Sequence, residues 1–146
     1  MLPSPNGASV VLRAATTSTA ILTGCLRNAT AVAGLAKQLG KTFTVCPAGE
    51  RWPDGSLRPA IEDWLAAGAI LRNLPGSKSP EADAAIVAFE RARQTLAENI
   101  AQSGSGRELI ERGFKQDVDL AAALDVSRQA PRFDGSAFIQ GKPVPA

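Results

Sequence analysis

Six ionisable side chains crowd one stretch of the chain. They are Glu50, Arg51, Asp54, Arg58, Glu62 and Asp63, within AGERWPDGSLRPAIEDW (Ala48–Trp64). Carboxylate oxygens suit a hard cation such as Mg²⁺, and the planar guanidinium fork suits phosphate. Both types at one loop fit a cation and a phosphoester held together. The stretch follows a strand candidate, and α/β proteins place ligands at the carboxyl ends of parallel strands. A plainer reading stands beside this one. Polar loops are common, and Glu62 and Asp63 would stabilise a first helical turn through the helix dipole alone. Adjacent carboxylates point about 100° apart on a helix, so the two cannot face one ion equally. One would be the ligand and the other would orient it or cap the helix; spacing leaves open which.

Three further segments place possible anion contacts at helix starts. Asn6-Gly7 opens a first helix, where backbone N–H groups can receive an anion; a simple turn is the alternative. Arg27-Asn28 precedes a second helix in the same way, with Asn28 as a mere N-cap the plainer reading. If these turns and the acidic-basic loop converge on one crevice, the convergence outweighs any single element. Ser103-Gly104-Ser105-Gly106-Arg107 puts glycines and a cation before a helix, but neither the P-loop pattern nor the dinucleotide fingerprint is present, and a linker is the plainer reading. Trp52 and Trp64 flank the charged loop. Trp64 is expected to pack on the sheet, and Trp52 to wall a site or cover the core.

Absences narrow the chemistry. The chain has no His and no Tyr, which excludes within it a Ser-His-Asp triad, a Cys-His pair, His metal ligands and a His base. Cys25 and Cys46 form no CxxC pair, so no Cys-rich zinc site or disulfide framework follows; two reduced, mostly buried thiols are expected. Nothing flanking Cys46 (Val45, Pro47) would lower its pKa for covalent catalysis. The net charge of +2 is too small to advertise a nucleic-acid or anionic-membrane surface. No run of about 18 uncharged apolar residues exists. The first cation, Arg13, falls where a signal peptide would be apolar, so a cytoplasmic protein is expected.

The elements that must position these residues alternate in period. Ala8–Thr16 reads as a short helix, Thr19–Thr23 (TAILT) as a buried strand, Ala29–Leu39 as a helix capped by Asn28 and closed by Gly40, and Thr42–Cys46 (TFTVC) as a second strand. A helix is expected from about Pro59 to Leu74. Ser79 and Pro80 start the next, with a stripe of Ala82, Ala85, Ile86, Phe89, Ala92, Leu96 and Ile100. Short helices follow at Arg107–Arg112 and Asp117–Leu124, then a last strand at Phe133–Ile139. The alternation predicts one α/β domain over residues 1–139. Its thin, mostly parallel sheet would be covered by helices, its C-terminal half would be largely helical, and residues 140–146 would form a loose tail.

Four strings in order, LPSPNGA, GCLRNATAVA, AGERWPDGSLRPAIEDWLAAGAI and SGSGRELIERGFKQDVDLAAALDVS, resemble the 2-phosphosulfolactate phosphatase family from about Leu2 to Ile139. That resemblance implies an α/β/α-type fold and a Mg²⁺-dependent acid phosphatase. The substrate would be 2-phospho-3-sulfolactate, on the way to coenzyme M. The family also carries a segment similar to DVLRATTT after its first strand. LRAATTST at Leu12–Thr19 looks like it, but lacks the Asp and follows LPSPNG, so the resemblance is to the C-terminal part of the family only. Glu50 departs from the Thr that many relatives carry after AG. By resemblance, Glu62 or Asp63 holds Mg²⁺. Gly7 and Asn28, beside Asn6 and Arg27, meet phosphoryl oxygens, and Arg51, Arg58 or Arg107 pairs with phosphate or sulfonate. Two other classes stay open: a catalytically silent small-anion-binding protein, and an assembly partner that completes its sheet with a second copy or a separate N-terminal chain.

Overall fold

A computed structural model describes residues 5–17 and 20–141. Its centre is a pair of helices, α3 (Ile61–Leu71) and α4 (Pro80–Ala92), in the most extensive element-to-element contact of the molecule. The approach is close because Gly68 offers no Cβ, where one would collide with the Ala85 carbonyl oxygen and lie 2.7 Å from Phe89 Cβ. Every residue from Leu65 to Ile70 is buried, so α3 is apolar all round beyond its first turn, as a central helix must be. Leu26, Leu65, Phe89 and Val118 are fully enclosed in this core.

The remaining elements wrap α3 and α4. They are α1 (Pro5–Ala14), a 3₁₀ turn at Leu26–Asn28, α2 (Ala29–Leu39), β1 (Glu50–Arg51), β2 (Leu57–Arg58), α5 (Leu96–Gln102), α6 (Gly104–Glu111), α7 (Lys115–Ala122), β3 (Pro131–Phe133) and β4 (Phe138–Gln140). The Ser79 hydroxyl accepts from the Ala82 N–H and starts α4, with Pro80 at the first position. The stripe from Ala82 to Ile100 is divided: a 3₁₀ turn at Arg93–Thr95 separates α4 from α5. Polar side chains stabilise that break, since Thr95 Oγ1 donates to the Ala92 carbonyl and Asn99 Nδ2 donates back to Thr95.

The α/β class holds, but the expected parallel sheet is corrected. The strands form two separate two-stranded antiparallel sheets, β1 with β2 and β3 with β4. Each pair is joined by a short turn, which permits only antiparallel pairing, whereas parallel strands need a crossover. The expected loop Pro47–Ser56 holds β1 and turns at Gly55 (φ +83). The expected strand Phe133–Ile139 contains the β3–β4 turn, in which the Asp134 carboxylate accepts from Ser136 and Ala137 N–H groups. TAILT contributes a single antiparallel bridge, Leu22 to Arg132; Thr19 lies outside the described residues. Thr42–Cys46 makes no ladder. Phe43 and Val45 instead pack on the helical core, so their alternation is burial without pairing. Most of the expected tail lies outside the described residues, while Gln140 belongs to β4. Both cysteines are free and exposed, not buried as expected, because each lies in a loop or turn segment rather than on a core face. Trp64, expected to pack on the sheet, is instead exposed in the first turn of α3. Among the described residues no helix is long and apolar enough to cross a membrane.

Candidate functional site

The acidic pair opens α3, and its two members do different work. Asp63 Oδ2 accepts the N–H of Gly49 at 2.7 Å. Gly49 has φ +66, a left-handed conformation suited to glycine, so Asp63 pins the entry of the β1–β2 hairpin. Glu62 turns instead toward the start of α6. Ser105 Oγ donates to both its carboxylate oxygens, each at 3.4 Å. Burial pushes the Glu62 carboxyl above its ordinary range, and the neighbouring charges of Asp63 and Glu50 push the same way. Backbone and Ser105 hydrogen bonds oppose them. Among the described residues Glu62 belongs to no ion pair.

The α6 start is built for its position. Ser103 Oγ accepts the Gly106 N–H at 3.0 Å as the N-cap and itself donates to the Ile100 carbonyl at 2.7 Å. Gly106 is buried against Ile100 so closely that a Cβ would collide with its carbonyl oxygen. What resembled a linker is therefore a fixed α5–α6 corner. It presents Ser105 to Glu62 and leaves Arg107 exposed on α6. Among the described residues the Arg107 guanidinium has no hydrogen bond or ion pair. A cleft of about 340 Å³ opens beside this corner, lined by Arg58, Ile61, Asn99, Gln102, Ser103 and Ser105 among others.

The other two candidate arginines of this region, Arg51 and Arg58, are occupied. Arg58 forms a bidentate pair with Glu108, at 3.1 and 2.7 Å, and lies 3.4 Å from Glu50. Its guanidinium also stacks 4.7 Å from the centroid of Trp52, which is 46% exposed and so packs on a cation rather than the core. The hydrogen bond to Glu108, joined by the charges of Glu108, Glu50 and Glu62, raises the Arg58 pKa against its desolvation. Glu108 is lowered mainly by the same bond. Arg51 donates to the Gly55 carbonyl inside the hairpin turn.

Arg27 and Asn28 belong to a different neighbourhood. Asn28 is 8% exposed; its Oδ1 accepts from Cys25 N–H and its Nδ2 donates to the Gln129 carbonyl. Arg27 donates to the Leu120 carbonyl. The adjoining Gly24 packs on Ile70, in the last turn of α3, whereas Glu62 occupies the first, about 12 Å away along the axis. Asn6 and Gly7 lie in the first turn of α1, inside the helix rather than before it. Among the described residues no hydrogen bond or ion pair joins Asn6, Gly7, Arg27 or Asn28 to Glu62. The expected cap of α2 comes from elsewhere: Asp125 Oδ1 accepts from Thr30 N–H at 2.8 Å, and its Oδ2 accepts from Thr30 Oγ1 at 2.7 Å. A larger cleft of about 680 Å³, between Ala15, Ala20 and Ile21 on one side and the β3–β4 hairpin on the other, is lined by none of the candidate residues.

Reasoning from residue spacing missed the pairing roles of Ser105, Glu108 and Asp125. Ser103 three residues before Gly106 was the one local signal, as a cap pattern. Glu108 and Asp125 meet partners 50 and 95 residues away, which no local pattern encodes.

As for a metal, no group of three Asp, Glu or Cys side chains converges among the described residues. Mg²⁺ commonly takes only one or two carboxylates and fills its shell with water and substrate phosphate. Glu62, half-buried beside other carboxylates and without a paired cation, fits one such ligand. Asp63 has one oxygen committed to Gly49.

Comparison with known proteins gives the family. The family model for 2-phosphosulpholactate phosphatase matches residues 1–136. A probable 2-phosphosulfolactate phosphatase of Carboxydothermus hydrogenoformans is 33% identical over 133 residues, 90% of this chain and 53% of that protein. The 2-phosphosulfolactate phosphatase of Methanothermobacter thermautotrophicus is 33% identical over 110 residues, 75% of this chain and 46% of that protein. A probable enzyme of the same name from Thermotoga petrophila is 29% identical over 140 residues, covering 95% and 58%. The chain spans about half the length of the curated relatives it matches. With the match running over most of its residues, the chain belongs to the 2-phosphosulpholactate phosphatase family.

Proposed function

We propose that this chain carries part of the site of a Mg²⁺-dependent phosphatase acting on a small phosphomonoester, 2-phospho-3-sulfolactate by family, in the cytoplasmic route toward coenzyme M. One observation carries the reading: Glu62 is a half-buried carboxylate, without a paired cation among the described residues, held by the hydroxyl of Ser105, which itself lines a cleft. Glu62 would hold the metal, with Asp63 fixing the loop beside it and available as a second, weaker ligand. Magnesium, when bound, supplies Lewis acidity toward the phosphoryl oxygens. Ser105 orients the Glu62 carboxylate. Arg107 pairs with the phosphate or sulfonate, since its guanidinium is uncommitted and the α6 start adds the positive end of a helix dipole. Asn28 and Arg27 are spent on Cys25, Gln129 and Leu120. The reading therefore moves phosphoryl recognition from that turn to the α6 corner.

A second reading has its own support. Arg27, Asn28, Arg51 and Arg58 are all engaged by partners within the chain, which favours a catalytically silent anion-binding or subunit-assembly protein. It would pair with a second copy or with a separate chain.

Phosphate release from 2-phospho-3-sulfolactate and from a generic phosphomonoester, with and without Mg²⁺, separates the two. The phosphatase reading expects release that chelation stops and that Glu62→Gln abolishes, with Asp63→Asn reduced less. Release indifferent to chelation or to Glu62→Gln overturns it. No release from a folded parent chain favours the second reading.

A further inference from the structure

Arg58 is the most heavily engaged cation among the described residues. Its side chain is only 16% exposed. It meets Glu108 of α6 through both terminal nitrogens, Glu50 of β1 through one of them, and Trp52 in the hairpin turn through its face. The guanidinium also lies against the start of α6: a Cβ at Gly104 would stand 3.0 Å from Nη2, so glycine there leaves it room. Gly104 directly precedes Ser105, the residue that meets Glu62. Two carboxylates neutralise Arg58, so it has little charge to offer a substrate.

We propose that Glu108 is a positioning residue: through its bidentate pair with Arg58 it fastens the β1–β2 hairpin to α6 and so holds the Ser105 corner against Glu62. A forked pair is the suitable joint, because two parallel bonds fix orientation as well as distance. The inference rests on the phosphatase reading only in calling the positioned groups a site; the joint can be read without any activity.

The test compares Glu108→Ala with Glu111→Ala, a carboxylate of the same helix that makes no contact with Arg58, in a Trp64→Phe background where Trp52 is the one indole. Loss of the joint should unstack Arg58 from Trp52 and raise acrylamide quenching. It should also speed amide exchange at Ser105–Arg107 by about fivefold, the scale of one exposed but forked ion pair. Arg58→Lys, which keeps the charge and loses the fork, should do the same. Glu111→Ala should match the parent. If the parent releases phosphate, Glu108→Ala should lower kcat while leaving KM near its parent value, because Arg107 is untouched. Unchanged quenching and exchange in Glu108→Ala overturn the proposal, as does a loosened joint with kcat unaltered. A parent without phosphatase activity refutes the function proposed above, and exchange and quenching then decide the joint alone.

Discussion

Replacing Gly106 by Ala tests whether the α5–α6 corner is a built element. In an exposed helix the change is favourable by about 1 kcal/mol, because alanine has the higher helix propensity. At Gly106 the new Cβ would collide with the Ile100 carbonyl oxygen and stand 3.0 Å from Ser103 Oγ. That carbonyl cannot turn aside freely, since it accepts from both the Ser103 N–H at 3.1 Å and the Ser103 hydroxyl at 2.7 Å. Overpacking of this kind costs about 1–3 kcal/mol, and each disturbed hydrogen bond about 1 kcal/mol more. After the propensity gain, a net loss of about 2–3 kcal/mol is expected. For a chain of this length that lowers Tm by roughly 6–10 °C. Gly34→Ala supplies the control: it lies mid-α2 with nothing within 4 Å of the added methyl, so it should raise stability by about 0.5–1 kcal/mol. Thermal and urea melts of both variants measure the difference. Gly106→Ala melting at or above the parent, with Gly34→Ala behaving as stated, would refute the packing argument. It would also remove the basis for a fixed Ser105.

Glu62→Gln should be more stable than the parent at neutral pH. The folded-state pKa is raised by burial, so the charged form is disfavoured in the fold, and the parent gains relative stability as pH falls through that raised value. The advantage of Gln should therefore fade below the unfolded value near 4.5; paired urea titrations across pH report it, and a neutral or negative effect at pH 7 contradicts the assignment. Asp125→Ala removes the carboxylate that caps α2 and leaves alanine at φ +51. A loss of about 1–2 kcal/mol is expected in thermal melts, and Asp125→Asn should retain much of the cap. Cys25 and Cys46 should both react with a thiol reagent in the native state, since both are exposed; only one reacting would place the other within the structure.

Helix content was legible in the residues themselves. Ser79-Pro80, the Ala29–Leu39 stretch closed by Gly40 and the apolar run of α3 follow from caps and periodicity, which act over one or two turns. The acidic-basic loop was legible as a place of chemistry for a similar reason: six charges in one segment are a local fact. Strand partners were not legible. TFTVC alternates as a strand does, yet its apolar residues are buried on helices, and pairing depends on which backbone lies alongside. The division of labour within the site was equally hidden. Which of Glu62 and Asp63 turns inward, which arginine stays uncommitted and why Asn28 is spent were settled by Gly49, Ser105, Glu108 and Gln129. Of these only Gly49 is near its partner in the chain, and even there the bond spans 14 positions. Composition and short-range spacing determined the helices and the kind of chemistry available. Tertiary packing alone decided which charges neutralise one another, because the strength of a charge pair depends on distance and burial in three dimensions rather than on order in the chain.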